Sequence, residues 1–375
     1  MRIPIAKPYL GKEEADLAHE TILSGWVTQG PKVAEFEEKF ADYTGANFAV
    51  AVSNCTTALH LSLVVGGIKS CDEVIVPSMS YIATANCVVH AGATPVFAEV
   101  KENYNLDLED VKRKVTPKTK AIILVHQIGM PGDIDEFSAF CKEQNLLLIE
   151  DAACAAGSEY KGRKIGSHSD FVCFSFHPRK VITTGDGGMI TTTKKEYADR
   201  LKLLRQHGMS VNDRVRHNSS KVIFEEHIAI GYNYRMTDIQ AAVGIKQLER
   251  LDWIVEERRK IAQKYVEALK DFDCIRLPFE DGLRKSNYQS FSIYLKDNTP
   301  ISRDNLMQKM LNKDIATRRG IMISHRERAY AHFHAISLPK TEELSNRSLL
   351  LPLFIPMEKE QIDFVIQELK KWLHE

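Results

Sequence analysis

Residues 174–188 read FSFHPRKVITTGDGG, and this stretch carries the first sign of the architecture. Its first residues continue an apolar run that begins at Phe171, which predicts a buried β-strand. Lys180 follows, and a turn rich in threonine and glycine comes directly after it. A lysine between a buried strand and a glycine-rich turn is an unusual position for a solvated charge. The stretch therefore predicts a sheet with a lysine at its edge.

Short β-rich runs alternate with helix-like segments on both sides of this stretch. The predicted strands are Phe48–Val52, Glu73–Pro77, Pro95–Val100, Ala121–His126, Leu146–Asp151, Phe171–Phe176 and Met189–Thr193. Amphipathic segments lie between several of them, at Thr56–Gly66, Ala83–Ala91 and Ile134–Glu143. This alternation predicts an α/β fold with a mostly parallel sheet of seven strands. The runs lack strict polar alternation, which is typical of strands covered on both faces.

The C-terminal third has a different pattern. Residues 209–232 are polar and irregular, which predicts a long loop of the kind that is functional or interfacial. Two long helices follow at 236–251 and 253–272, with a break near Asp252. A strand at 288–295 and helices at 303–311 and 359–373 then predict a smaller α+β domain. We expect a large α/β domain over residues 1–250 and a small domain over 251–375.

Composition excludes several classes of function. Lys+Arg and Asp+Glu both total 50, so no net charge favours binding to nucleic acid or to a membrane surface. The seven cysteines form no Cys-x-x-Cys pair, and several lie in apolar runs, which is typical of a reduced, cytoplasmic setting. No apolar run approaches the roughly 18 residues of a spanning helix. The first residues also lack the apolar core of a signal peptide.

Lys180 and Asp151 together predict a pyridoxal phosphate (PLP) site. Asp151 ends the run LLLIED at residues 146–151, so a carboxylate closes one predicted strand and a lysine follows a later one. A lysine amine can form an imine with the aldehyde of PLP, and a carboxylate can keep the pyridine nitrogen protonated. Each residue also has a simpler explanation. Lys180 could be a surface lysine at a turn, and Asp151 could cap a helix.

The segment SNCTTAL at residues 53–59 joins a predicted strand to a predicted helix. Hydroxyl groups and free amides at a helix N-terminus suit a phosphate dianion, although an ordinary threonine cap is the simpler alternative. Tyr81 could lay its ring on the pyridine, or it could be a core aromatic residue. The glycine turn at 185–188 matches neither dinucleotide-binding nor P-loop spacing. His332 and His334 lack a third ligand, so we expect no metal site.

Several motifs make the chain similar to the DegT/DnrJ/EryC1/StrS family of PLP-dependent sugar aminotransferases, and the similarity runs over nearly the whole chain. The motifs are SGWVTQGP at residues 24–31, DEVIVPS at 72–78, AGATPVF at 91–97, EDAA at 150–153, the lysine stretch at 174–188 and GYNYRMTDIQAA at 231–242. Each motif alone is common, but their combination is specific to the family.

The resemblance implies the fold-type I aminotransferase architecture and a homodimer whose two active sites are each built from both chains. By this analogy Lys180 carries the covalently attached cofactor and Asp151 meets the pyridine nitrogen. The other residues that the resemblance assigns to the cofactor are Thr56, Thr57 and Ser175 at the phosphate, Asn233 from the partner chain, Tyr81 stacked on the ring, and Cys154 at the ring or its 3′-oxygen. His325, Arg235 and Arg319 are the expected contacts to the sugar nucleotide.

Two positions depart from the family pattern. The family usually has glycine at position 55 and glutamine or histidine at position 154, where this chain has cysteine. Cys55 adds a side chain beside the predicted phosphate site. A thiol at position 154 is a weaker hydrogen-bond partner than an amide or an imidazole. We expect a working enzyme with altered cofactor affinity, and simple packing as the role of both thiols.

The resemblance also implies a reaction. We expect transfer of an amino group from glutamate to a nucleotide-linked keto-deoxysugar, with a 4-keto acceptor and a surface glycan as the end product. Lys180 would serve as imine anchor and as proton shuttle, which calls for an amine with a pKa near the operating pH. The alternatives are a 3-keto sugar or a cyclitol as acceptor, a PLP-dependent sugar dehydratase, and a non-catalytic protein that binds sugar nucleotides. The dehydratases carry histidine in place of the lysine, so Lys180 argues against them.

Overall fold

The computed structural model describes residues 2–211, 220–333 and 335–374. Its strands are β1 (Phe48–Val52), β2 (Glu73–Pro77), β3 (Thr94–Ala98), β4 (Thr119–Val125), β5 (Leu147–Asp151), β6 (Glu159–Tyr160), β7 (Arg163–Lys164), β8 (Phe171–Ser175), β9 (Gly188–Thr192), β10 (Ile275–Arg276), β11 (Arg284–Lys285), β12 (Phe291–Leu295), β13 (Arg318–Arg319) and β14 (Ser348–Leu351). Its longer helices are α1 (Lys12–Leu23), α2 (Pro31–Thr44), α3 (Cys55–Val65), α4 (Ala83–His90), α5 (Leu108–Lys114), α6 (Ile134–Gln144), α7 (Lys195–Leu204), α8 (Asp238–Glu249), α9 (Leu251–Leu269), α10 (Arg303–Leu311), α11 (Pro339–Arg347) and α12 (Lys359–His374).

The central sheet has seven strands in the order β1-β9-β8-β5-β4-β2-β3. Strand β9 runs antiparallel to both of its neighbours, and the other strand pairs are parallel. The predicted α/β fold with a mostly parallel seven-stranded sheet is therefore confirmed. The carboxyl ends of β5 and β8 lie at the same edge, which is where ligands bind in open α/β sheets.

Helices cover both faces of the sheet, as the apolar strands predicted. One buried cluster joins aromatic residues of α2 and α6 to one face of the sheet, and a second joins α3, α4 and α7 to the other. Strand β5 sends Leu148 to the first cluster and Ile149 to the second, because successive side chains point to opposite faces. Glu150 and Asp151 continue this alternation, so the two carboxylates leave the strand on opposite sides.

The C-terminal part is built on a four-stranded antiparallel sheet in the order β10-β12-β14-β13, against which α10 and α12 pack. A separate three-stranded sheet has the order β11-β6-β7. Strand β11 of the C-terminal part pairs with β6 and so extends the β6–β7 hairpin of the preceding part. The proposed boundary between residues 250 and 251 stays a prediction.

Three local expectations differ from the structure. The break between the two long helices lies at Arg250, two residues before Asp252. The strand predicted from Tyr288 begins only at Phe291, because Tyr288 has a φ of 46°, which interrupts extended backbone. Part of the predicted 209–232 loop lies outside the described residues, and the part from 220 to 232 is irregular apart from the pairing of Met209 with His227. Helices α1 and α2 were not predicted.

Candidate active site

Three elements converge at the carboxyl edge of the central sheet. Strand β5 ends at Asp151, β8 ends at Ser175, and α3 begins at Cys55 a few residues after β1. Lys180 follows β8 in a turn that is fixed by backbone hydrogen bonds from the Lys180 amide to His177 (2.8 Å) and from the Thr184 amide to Phe176 (3.0 Å). The sequence therefore places a lysine, a carboxylate and a helix N-terminus at one edge.

The amine of Lys180 contacts a thiol. Its Nζ atom lies 3.2 Å from Sγ of Cys154, and the side chain is half-buried. Burial favours the neutral amine, but Cys154, Cys55 and Asp151 favour the ammonium and together raise the pKa of Lys180 above its ordinary value. The sequence analysis expected a pKa lowered towards the operating pH. The structure shifts it upwards, because acidic groups surround the amine.

Asp151 is almost fully buried and holds two hydrogen bonds. The Thr84 hydroxyl donates to Oδ2 at 2.8 Å, and the Ala153 amide donates to Oδ1 at 3.1 Å. Burial raises the pKa of Asp151, and these two donors and Lys180 only partly offset the rise. A carboxylate in this state gains from a positive charge placed beside it.

A second buried pair lies on the opposite face of β5, and the sequence analysis missed it. Nε2 of His126 lies 2.8 Å from Oε2 of Glu150, and both side chains are fully buried. The Gly132 amide donates to Nδ1 of His126 at 3.0 Å, so we assign the ring proton to Nε2, which donates to Glu150. Burial would raise the pKa of Glu150, but the hydrogen bond from His126 holds it below its ordinary value. The available signal was Glu150 next to Asp151 in a buried strand.

The start of α3 is open to a ligand. Asn54 caps the helix by accepting from the Thr57 amide at 2.9 Å, so neither threonine is the cap. Within the described residues, the amides of Cys55 and Thr56 have no hydrogen-bond acceptor, as expected for the first turn of a helix. A Cβ atom at Gly188 would lie 2.5 Å from the Asn54 carbonyl carbon, so glycine is required for this close approach.

The remaining residues predicted to bind phosphate lie beside this helix start. The Thr57 hydroxyl donates to the Asn54 carbonyl at 2.7 Å and lies 3.2 Å from Oγ of Ser53. Ser175 is buried, and its Oγ accepts from the His177 amide at 3.4 Å. The Ser53 amide donates to the carbonyl of Tyr234 at 2.8 Å, which brings the motif at 231–242 to the same place.

The other predicted residues lie further out. Tyr81 is 69% exposed, the side chain of Asn233 is exposed, and Arg235 is half-buried. Arg319 is exposed on β13, with its guanidinium 3.6 Å from Glu327. These positions allow contacts to molecules outside this chain.

His325 does not fit the role predicted for it. The residue is fully buried, with Nδ1 2.6 Å from Oγ of Ser78 and Nε2 3.2 Å from Oε1 of Glu342. Because both ring nitrogens have protein partners, His325 joins β2 to the C-terminal part and has no free nitrogen for a sugar nucleotide. His334 lies outside the described residues. Over the ranges that are described, no group of three or more His, Cys, Asp or Glu side chains could hold a metal ion.

The residues at this edge fit PLP by their chemistry. Lys180 offers an amine for its aldehyde, and Asp151 offers a buried carboxylate for its pyridine nitrogen. The open amides of α3, with the hydroxyls of Thr56 and Ser175, offer donors for its phosphate, whereas the Thr57 hydroxyl donates to the Asn54 carbonyl. The close approach of Gly188 to Asn54 keeps these elements together.

Comparisons with known proteins agree with this chemistry. The model of the DegT/DnrJ/EryC1/StrS aminotransferase family matches residues 8–370. Spore coat polysaccharide biosynthesis protein SpsC of Bacillus subtilis is 36% identical over 98% of this chain and 96% of its own length. Helicobacter pylori PseC, an aminotransferase involved in the biosynthesis of pseudoaminic acid, is 26% identical with a TM-score of 0.93 and full coverage (100%) of both chains.

A third similar protein is the putative sugar aminotransferase Spr1654 of Streptococcus pneumoniae, whose structure is solved in its PLP form. It is 27% identical, with a TM-score of 0.92, and the match covers 100% of this chain and 99% of that one.

Proposed function

This chain belongs to the DegT/DnrJ/EryC1/StrS aminotransferase family, whose members are PLP-dependent sugar aminotransferases, and we propose that it transfers an amino group from glutamate to a nucleotide-linked 4-keto-deoxysugar. The observation that carries the proposal is the meeting of Lys180, Asp151 and the open start of α3 at one sheet edge. An aminotransferase needs all three, because the amine, the carboxylate and the phosphate donors act on different parts of one cofactor.

PLP, when bound, supplies an electron sink for the negative charge that forms at the amine-bearing carbon when a proton leaves it. Lys180 would be the group that removes and returns this proton at its Nζ atom. Asp151 would hold the positive charge on the pyridine nitrogen, and its raised pKa shows how strongly its buried site would gain from such a partner. Thr56 and Ser175 would bind the phosphate at the start of α3.

The acceptor must bind where the chain leaves room beside Lys180. Arg235 and Arg319 are the basic side chains proposed to neutralise the diphosphate of a sugar nucleotide. The half-buried Arg235 belongs to the motif that reaches α3, and Arg319 is exposed on β13. A role in surface glycan synthesis is supported by the similarity to SpsC, a spore coat polysaccharide biosynthesis protein.

A homodimer with shared active sites is also part of the proposal, and residues 220–230, here called the strap, support it. Val222, Phe224, Ile228 and Ile230 are 62–95% exposed. Large exposed apolar patches mark interaction surfaces. The strap adjoins the motif that carries Asn233, whose exposed side chain would then reach the phosphate of a second chain.

We further propose that the enzyme works in the cytoplasm. In the parts of the chain that the structure describes, no helix has the length and apolar character needed to cross a membrane.

The test is a panel of acceptors incubated with the purified chain, PLP and glutamate. The panel contains 4-keto and 3-keto nucleotide sugars and a cyclitol ketone, and mass spectrometry identifies any amino product. We expect the amino sugar from a 4-keto acceptor. Amination of only the 3-keto sugar or the cyclitol would replace the proposed acceptor.

Reduction with borohydride gives a separate test of the cofactor site. We expect the reduced cofactor to be found on the peptide that carries Lys180. An unmodified Lys180 peptide together with no amino product would contradict the enzymatic role and favour a non-catalytic protein.

A further inference from the structure

The contact between Lys180 and Cys154 is held from both sides. The Asn287 side-chain amide donates to the Cys154 carbonyl at 2.8 Å, and Asn287 itself is fully buried. The Gln289 side-chain amide donates to the carbonyl of Arg179, the residue before Lys180, also at 2.8 Å. The backbone is therefore anchored on both sides of the 3.2 Å contact between Nζ and Sγ.

Cys154 differs from the other six cysteines. Five of them are buried: Cys55, Cys87, Cys141, Cys173 and Cys274. Cys71 is exposed, but it lies in the turn before β2 on the opposite side of the sheet from the strand ends. Only Cys154 combines partial exposure with direct contact to an amine. Burial also raises the pKa of the neighbouring Cys55 thiol well above its ordinary value, which makes Cys55 a poor nucleophile.

We propose that Cys154 and Lys180 form an oxidation-dependent covalent link, in which a hydroperoxide converts the contact into a sulfur–nitrogen bond. In the first step the Cys154 sulfur attacks a peroxide oxygen, and the O–O bond breaks. Sulfur is oxidised by two electrons to a sulfenic acid, and the peroxide is reduced, leaving as water or an alcohol with the thiol proton.

The raised pKa of Lys180 favours its ammonium form, so in the second step Nζ first loses a proton to solvent, and the resulting neutral amine attacks the sulfenic sulfur. The S–O bond breaks, water leaves with one amine proton, and no further oxidant is needed. Sulfenic acids condense in this way with nitrogen nucleophiles, including backbone amides, which are far weaker nucleophiles than an amine. An external thiol reverses the link by attacking the sulfur, which frees the amine and leaves a mixed disulfide that a second thiol reduces.

The link would remove the one amine on which the proposed reaction depends, and it would do so reversibly. It follows from the cysteine that stands here in place of the usual family residues. It is independent of which sugar the enzyme aminates, since neither step involves a substrate.

Peptide mass mapping tests the link directly. The full-length chain, prepared without PLP, is treated with hydrogen peroxide and digested with trypsin without reductant. Cys154 is the only cysteine of the tryptic peptide 143–161, and the peptide 180–194 contains no cysteine. A product of these two peptides that lacks two hydrogen atoms therefore cannot be a disulfide.

We expect this product to form, to disappear with dithiothreitol, and to be lost in Cys154→Ala and in Lys180→Arg. The matched variant Cys55→Ala should retain it, and loading with PLP before oxidation should diminish it. If Cys154 is found only as a sulfinic acid or as a disulfide with Cys55, the proposal is wrong. Persistence of the product in Cys154→Ala would overturn it equally. None of these readouts depends on aminotransferase activity.

Discussion

The sheet edge around Lys180 and the strap at 220–230 differ in how many of their side chains find partners within one chain. At the edge, Asp151 is buried and has two donors, and Lys180 has a partner in Cys154. The strap is fixed to the body by backbone hydrogen bonds, such as Ser210 to Glu226 at 2.8 Å, but it leaves Ile230 95% exposed.

The difference shows which part of the proposed site the single chain supplies. Buried strands position the reacting groups, because their backbone hydrogen bonds and packing leave little freedom. The strap has its backbone anchored and its apolar side chains unburied, which is a costly arrangement in water. We infer that folding alone organises the edge, and that the strap is organised by association with a second chain.

Replacement of Lys180 should have the largest effect on the edge. Lys180→Ala removes the amine proposed as proton shuttle, so we expect turnover to fall by roughly 10²–10⁴-fold. The matched control is Lys195→Ala, which removes an exposed lysine paired with Asp199 on α7 and should leave turnover unchanged. Turnover is measured by amino-sugar formation, and cofactor retention by absorbance. Normal turnover of Lys180→Ala would show that the shuttle has been assigned to the wrong residue.

Asp151→Asn should lower the rate by roughly 10²–10³-fold, because it removes a preorganised charge while keeping the shape of the side chain. Although it lowers the rate, the same change should not lower the stability of the protein. Burial raises the pKa of Asp151 above 3.8, so ionisation costs stability as the pH rises through that pKa. The variant avoids this cost, and its free energy of unfolding without cofactor at pH 7 should equal or exceed the parent value. A less stable variant, or one with normal turnover, would contradict the role given to Asp151.

Much of the edge could be predicted from the sequence, because its elements have local signals. The strands around Asp151 and Lys180 are continuous apolar runs, and the order strand, carboxylate, strand, lysine is visible without a structure. The Glu150–His126 pair was missed because the two residues are 24 positions apart and nothing local says that they meet. The burial of His325 was missed for the same reason, since its hydrogen-bond partner Ser78 lies 247 positions away.

Helix boundaries were predicted with less success where competing signals were close together. The break at Arg250 lies between two strongly helical segments, and the sequence placed it only to within two residues, near Asp252. The strap could only be predicted as a loop. Its apolar residues are exposed in the single chain, and the sequence does not show which surface would cover them.

Ile230→Ser tests the strap. Burying one isoleucine side chain is worth about 1.5–3 kcal/mol. A symmetric homodimer carries the change twice, so its dissociation constant should rise roughly 10²- to 10⁴-fold. Leu311→Ser is the matched control, because Leu311 is also exposed but lies at the end of α10. Sedimentation velocity over a range of concentrations measures both variants. Equal dissociation constants for Ile230→Ser, Leu311→Ser and the parent would show that the strap is not the contact surface.

Glu150→Gln tests whether the pair behind Asp151 contributes to the rigidity of the edge. Glutamine can still accept from Nε2 of His126, but the change removes the charge from that hydrogen bond and replaces the buried Oε1 by an NH2 donor, at a cost of about 1–2 kcal/mol. Because His126 holds the pKa of Glu150 below 4.5, its stabilising contribution is fully present above that pH and is lost as the pH falls through the lowered pKa. Urea unfolding of the cofactor-free chains should therefore show the full difference between parent and variant at pH 7 and a smaller one near pH 3. The neighbouring Asp151→Asn should show no such loss of stability at pH 7, since burial shifts the pKa of Asp151 in the opposite direction. A difference for Glu150→Gln that stays constant with pH would mean that shape, and not charge, makes the pair stabilising.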